Sequence, residues 1–221
     1  MKVIITGASG MVGRGVLLEC LDNTEVEKVL AIGRTSVGIS HPKLHELSPN
    51  NFLDYSNYTA ELSGYDACYL CMGVSAPGMK EETYFELTYS YTIALAKRFV
   101  ELNKNSTITY VSGQGTDSTE TGRIMWARVK GKTENALLAL NPNKTFLFRP
   151  GVIIPLRGIK SKTKSYQFFY DYFMWLIRIQ KFIAPTTVVN TTQIGLAMLR
   201  VALSGYDKNI ITPKDILKLA S

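Results

Sequence analysis

The chain has 221 residues, 46% of them hydrophobic and 19% charged, with a formal net charge of +7. That length suffices for one domain with a sizeable core, and no apolar run reaches the ~20 residues of a membrane-spanning helix. The clearest basic concentration, Arg157, Lys160, Lys162 and Lys164, is interspersed with Gly and Ser instead of lining a helix face. This argues against nucleic acid as the main partner and fits a basic protein that binds an anionic cofactor.

The short apolar run Lys2-Val3-Ile4-Ile5 reads as a strand and leads into Thr6-Gly7-Ala8-Ser9-Gly10-Met11-Val12-Gly13. Three glycines spaced three apart at a strand-to-helix junction mark the first turn of a dinucleotide-binding βαβ unit. Gly7 lets the chain turn off the strand, Gly10 lets the backbone approach a pyrophosphate, and Gly13 lets the new helix pack closely. The N–H groups at the helix start, around Ser9, Met11 and Val12, then face the phosphates. A second buried strand is expected over 29–33 and a short alternating one over 43–47. Residues 67–72 form another apolar strand, ended by Gly73. A long helix is expected over 80–103, with Tyr84, Leu87, Tyr91, Leu95, Phe99 and Leu102 on one stripe. Strand 107–111 ends at Ser112-Gly113, helix 124–140 follows, and 145–148 is the next strand. Continuous apolar strands mean a parallel sheet covered on both faces. The fold class is therefore α/β, a doubly wound parallel sheet of Rossmann type in the order 3-2-1-4-5-6.

Beyond Arg149-Pro150-Gly151 the rhythm changes. An aromatic amphipathic segment over 166–183 precedes a strand at Val188-Val189, a helix over 192–203, a strand at 209–211 and a helix over 213–219. No linker splits the chain, so 1–221 is expected to be a single NAD(P)-binding domain, with 156–221 contributing a small substrate-side cap. The aromatic stretch 166–177 reads as a buried core or cap helix; a membrane-surface helix, a pocket lining or a subunit interface are the alternatives. Cys68 and Cys71 form a C-x-x-C on a strand, where odd spacing puts them on opposite faces, so they read as small buried hydrophobes and not as a redox pair. With a core strand at the N-terminus and no disulfide framework, the expected location is the cytoplasm.

The second strand ends in Ile32-Gly33-Arg34-Thr35-Ser36. A carboxylate at this place would bond the ribose hydroxyls of NAD and repel a 2′-phosphate, whereas a guanidinium pairs with that phosphate bidentately. Arg34, with Thr35 or Ser36, therefore favours NADP, with NAD left open. Arg14 is either a second phosphate ligand or an ordinary surface arginine.

With strand 107–111 ending in Ser112 and a following helix carrying Lys130, the chain resembles the extended and atypical short-chain dehydrogenase/reductases. The nearest groups are the Tat-interacting-protein-like and NmrA-like proteins and those called NAD-dependent epimerase/dehydratase. The resemblance rests on Thr6 to Gly13, Ile32-Gly33-Arg34, Cys71-Met72-Gly73, Ser112 to Asp117, Val129-Lys130-Gly131 and Phe148-Arg149-Pro150-Gly151-Val152. It implies an oxidoreductase or epimerase-like enzyme acting on a carbonyl/alcohol or sugar-like small molecule. In that superfamily a Ser orients the substrate, a Tyr moves the proton, and a Lys four residues after the Tyr holds the nicotinamide ribose. The resemblance places the Ser at Ser112 and the Lys at Lys130. The tyrosine position holds Trp126, whose indole is only a donor and cannot carry the proton.

Three readings stay open. The protein binds NADP without turnover, as a sensor or regulatory protein; or it is an enzyme with a relocated acid, for which Tyr84, Tyr166, Tyr170 and Asp117 are candidates; or the register slips to Lys132, which puts Arg128 in the tyrosine's place. The resemblance also implies cofactor contacts at Asn51 and Phe52 beside adenine, at Cys71 and Gly73 near the ribose, and at Pro150, Gly151 and Val152 near the carboxamide. Thr116 and Asp117 face substrate or belong to a polar loop. No spacing suggests a metal. Pairing into a homodimer through the 80–103 and Trp126 helices is left open.

Overall fold

The computed structural model describes residues 1–141, 144–159 and 185–221. In chain order, β1 (Lys2–Thr6) leads into α1 (Met11–Asp22), followed by β2 (Lys28–Ile32) and β3 (Leu44–Leu47). A short α2 (Thr59–Leu62) precedes β4 (Ala67–Leu70). Then come α3 (Glu81–Phe85) and α4 (Tyr91–Leu102), β5 (Thr107–Val111), α5 (Met125–Leu140), β6 (Thr145–Phe148) and β7 (Val152–Ile154). The chain closes with β8 (Val188–Asn190), α6 (Thr191–Ser204), β9 (Ile210–Ile211) and α7 (Pro213–Leu219).

Seven parallel strands form one sheet in the order β3-β2-β1-β4-β5-β6-β9. The expected order therefore holds, with β9 added at the far edge. β7 and β8 pair in parallel as a separate ribbon. Along each central strand successive side chains enter opposite cores. Val3, Ile5, Tyr69 and Phe148 meet α1, α6 and α7, while Ile4, Cys68, Leu70 and Tyr110 meet α4 and α5. Cys68 lies in the second core and Cys71 packs against the first, so the two thiols do face opposite ways. Of the stretch read as a cap, the described residues 188–221 finish the sheet and cover its α1 face. The 166–177 stretch, Lys160, Lys162 and Lys164 lie outside the described residues.

Local chemistry sets the ends of these elements. The Lys43 ammonium donates to the carbonyls of Leu21 and Asn23 at 3.1 and 2.7 Å, supplying partners for the open end of α1. Asn190 with Gln193, and Thr212 with Asp215, form reciprocal capping boxes on α6 and α7, and Pro213 occupies the first position of α7.

The helix expected over 80–103 is present with an interruption. Residues Glu86–Ser90 form a π-helical turn between α3 and α4. A wider turn rotates everything beyond it, so the buried stripe runs through Tyr84, Thr88, Thr92, Ile93, Ala96 and Phe99. Leu87 and Tyr91, expected on the stripe, are only partly buried. A constant 3.6-residue period cannot reveal that shift.

Candidate functional site

β1 sits between β2 and β4, so the chain leaves the sheet in opposite directions on its two sides and a crevice opens beyond the strand ends. The cleft there has a volume of about 840 Å³, within the range of small-molecule sites. Its walls come from five segments: Gly10, Met11 and Val12 after β1; Cys71, Met72 and Gly73 after β4; Val111 to Gly115 at the end of β5; Trp126 and Lys130 on α5; and Pro150, Gly151 and Val152 after β6. Tyr84 adds to the wall from α3.

The first wall follows from backbone geometry. Gly7 has φ +68°, and a Cβ there would lie 2.6 Å from the carbonyl oxygen of Cys71. A Cβ on Gly13 would lie 2.2 Å from the carbonyl oxygen of Gly7, so α1 starts hard against the turn. No side chain caps α1 at Gly10, and its first turn holds no acidic residue. Its leading N–H groups are therefore available to an anion on which the helix dipole also acts. This cradle fits a dinucleotide pyrophosphate. Ser9 flanks the turn outside the cleft wall.

The adenosine-side calls fare differently. Arg34 and Thr35 are exposed and have no hydrogen-bond or ion-pair partner among the described residues. Ser36 donates to Glu46, and the Arg14 guanidinium donates to the carbonyl of Val37 at 2.5 Å. Arg14 is thus tied to the loop that carries Arg34. The Asn51 side-chain oxygen, expected to meet adenine, accepts from the Leu53 N–H at 2.9 Å, forming its own small turn. Phe52 stacks on Tyr91 with ring centroids 5.6 Å apart. Neither Asn51 nor Phe52 is in the cleft wall.

At the other end, Lys130 donates to the carbonyls of Val111 and Ser112 at 3.1 and 2.9 Å, and its ammonium lies 5.6 Å from the Tyr110 ring centroid. Burial pushes the Lys130 ammonium down to about 8, with Glu134 pulling the other way. Gly131 lets α5 come this close: a Cβ there would lie 1.7 Å from the carbonyl oxygen of Asp117. The Trp126 indole lies beside Gly113 and Gly115, 3.6 Å from where a Cβ on Gly115 would sit.

Ser112 is placed at the cleft, but its hydroxyl is committed elsewhere. It donates to Oε1 of Glu134 at 2.5 Å and lies 3.2 Å from the carbonyl oxygen of Phe148. Glu134 is 1% exposed and also receives the Arg149 guanidinium, from Nε at 3.0 Å and from Nη2. The expectation that Ser112 orients substrate is corrected accordingly: its one hydroxyl hydrogen serves a buried carboxylate.

Asp117 is not a proton carrier either. It accepts from the Thr119 hydroxyl and N–H and from the Gly122 N–H, which together hold its carboxyl below the usual range. Thr116 donates to the carbonyl of Gly113 in the same loop. Arg128 forks onto Glu81 at 2.9 and 2.8 Å, and the Lys132 ammonium sits 5.6 and 5.8 Å from the Phe85 and Tyr89 ring centroids. Both are absent from the cleft wall, so the register stays with Lys130. Tyr166 and Tyr170 lie outside the described residues.

Several residues of the site escape the sequence reading. Gln114 faces the cleft, its N–H donating to the Pro150 carbonyl at 2.9 Å and its side-chain oxygen lying close to Gly151. Glu134, Arg149 and Glu46 are the others. The only advance signal is that Glu134 stands four residues after Lys130, which puts both on one helix face.

No protein-family model matches the chain. Rat protein HTATIP2 is 23% identical over 155 residues, or 69% of this chain and 63% of that protein, so the chain spans less than two thirds of that relative's length. Protein FMP52 of Kluyveromyces lactis is 24% identical over 230 residues, covering 100% of this chain and 99% of the relative. The resemblance is to the atypical short-chain dehydrogenase/reductases.

Solved structures give the same fold. An oxidoreductase of the short-chain dehydrogenase/reductase family from Burkholderia thailandensis superposes with a TM-score of 0.69 at 13% identity, covering 98% of this chain and 92% of its own. A UDP-N-acetylglucosamine 4-epimerase from Methanobrevibacter ruminantium gives 0.71 at 15%, covering 96% and 75%. The Bordetella bronchiseptica enzyme WbmF, solved with NAD+, gives 0.66 at 12%, covering 99% and 76%. The chain thus has the Rossmann fold of oxidoreductases and epimerases, a fold that carries nicotinamide cofactors. The cytoplasmic expectation is overturned, because the fungal FMP52 relatives are named mitochondrial. No helix among the described residues is long and apolar enough to cross a membrane.

Proposed function

We propose that the cleft binds NADP and that the protein is an oxidoreductase or epimerase-like enzyme working on a carbonyl/alcohol or sugar-like small molecule without the superfamily's Ser–Tyr pair. The observation that carries this reading is the joint lining of one cleft by an uncapped helix N-terminus and by Lys130. When bound, the cofactor would supply or accept a hydride. The turn from Gly7 to Gly13 would hold its pyrophosphate, and Arg34 with Thr35 its 2′-phosphate. Lys130, held at the end of β5, would reach the nicotinamide ribose. Gln114 would orient the substrate oxygen from the same wall, and the Tyr84 phenol, also in that wall, is the candidate proton carrier.

One observation favours a second reading, a cofactor-dependent binding protein that does not turn over. Both groups the superfamily uses on substrate are spent or replaced: Ser112 serves Glu134 and Trp126 stands for the tyrosine. NADPH oxidation against a broad carbonyl panel separates the two. Wild-type turnover that is lost in Tyr84→Phe supports the enzyme. Turnover that emerges only in Trp126→Tyr supports the binding protein.

A further inference from the structure

The loop after β2 is held on one side and open on the other. The Glu46 carboxylate, on β3, accepts from the Ser36 hydroxyl and from the Val37 N–H, both at 2.8 Å. Ser36 in turn accepts from the Gly38 N–H at 3.1 Å. The carbonyl of Val37 takes the Arg14 guanidinium from α1, and the Val37 side chain is buried in the core. Residues 36–38 therefore have their polar groups tied to two different elements. Immediately before them, Arg34 and Thr35 project into solvent with no partner among the described residues.

A flexible loop that must order around a ligand loses affinity to the entropy of ordering, and one already fixed does not. The side of the loop that is fixed here carries no ligand-binding group, while the side left open carries a guanidinium and a hydroxyl suited to a phosphate monoester. We propose that Glu46 and Arg14 are positioning residues that clamp this loop so that Arg34 and Thr35 meet the 2′-phosphate of NADP. This rests on the NADP reading above. It makes Glu46, an acid near an anion-binding loop, a determinant in favour of the phosphorylated cofactor. Its charge is directed at Ser36 and at a backbone N–H, where it orders the loop.

The test is calorimetric titration of the purified protein with NADPH and with NADH, for wild type, Glu46→Gln and Ser36→Ala. Glutamine has the same size but presents an amide N–H₂ where one of the two acceptors was, so one bond to the loop is lost. The expected result is an NADPH Kd about 3- to 10-fold weaker in Glu46→Gln with NADH changed less than about 2-fold. A smaller loss of the same sign is expected in Ser36→Ala, which decides the matter if Glu46→Gln does not fold. Equal weakening of both cofactors, no change, or tighter NADPH binding in the variants overturns the clamp while leaving the cofactor reading intact. A wild-type protein that binds NADH as tightly as NADPH, or neither, overturns the reading beneath it.

Discussion

The Ser112 hydroxyl and the Glu134 carboxylate are 2.5 Å apart, at the point where the end of β5 meets α5. Because Arg149 reaches the same carboxylate from the end of β6, three elements converge on one buried anion one helical turn beyond Lys130. The arrangement fixes the wall of the cleft from behind. Ser112→Ala should therefore cost about 1 kcal/mol of folding stability and leave NADPH affinity unchanged. Glu134→Ala, which strands the mostly buried Arg149 guanidinium, should cost about 3 kcal/mol. Chemical denaturation of the two variants beside a cofactor titration checks both. A Ser112→Ala protein of wild-type stability that has lost turnover would return the serine to the reaction.

Removing the Arg34 guanidinium should weaken NADPH by roughly 10- to 100-fold, as expected for loss of a charge-assisted pair. NADH should bind as before. Fluorescence titration with each cofactor gives the ratio, and equal losses would remove the 2′-phosphate assignment.

Gly13→Ala places a methyl group about where the carbonyl oxygen of Gly7 already lies, 2.2 Å from the ideal Cβ. Backbone on both sides must move, so the turn and α1 separate. NADPH binding should fall by more than about 10-fold, because the N–H groups that face the phosphates belong to that turn. Circular dichroism confirms that the variant remains folded.

Lys130 provides a pH dependence whose sign can be worked out. Its folded-state pKa, about 8, lies below the ordinary lysine value, so between these two the unfolded chain binds more protons. Stability contributed at this site therefore rises with pH through that interval, and the burden of keeping a buried cation is fully present below about 8. The melting temperature of wild type relative to Lys130→Met should increase between pH 8 and pH 10, by roughly 2–4 °C per kcal/mol for a domain of this size. A constant or shrinking difference would mean that the ammonium is not destabilised by burial.

What could be read in advance is what the chain encodes locally. Runs such as Lys2 to Ile5 and Ala67 to Leu70 announce buried parallel strands because nothing polar interrupts them. The turn from Gly7 to Gly13 is legible because its glycines answer to backbone clashes a few residues away. The Ser112 assignment fails for the opposite reason. Its partner is 22 residues further along and its neighbour Arg149 lies on another strand, so only the assembled sheet shows where the hydroxyl points. Asn51 and Asp117 fail differently: each bonds backbone two residues on, the habit that makes such side chains turn formers. The π-helical turn at Glu86–Ser90 was hidden because helical periodicity assumes a constant pitch.

The two ends of the main sheet have a consequence of their own. β3 is four residues long and carries His45 and Glu46 outward, and β9 at the other end is only two residues long. Neither offers the long, flat row of open N–H and C=O groups on which another chain could add a strand. The sheet is thereby closed to growth at both margins, and copies of this protein that meet in a crowded compartment will have to meet through helices or loops, not by extending one another's sheet into a fibre.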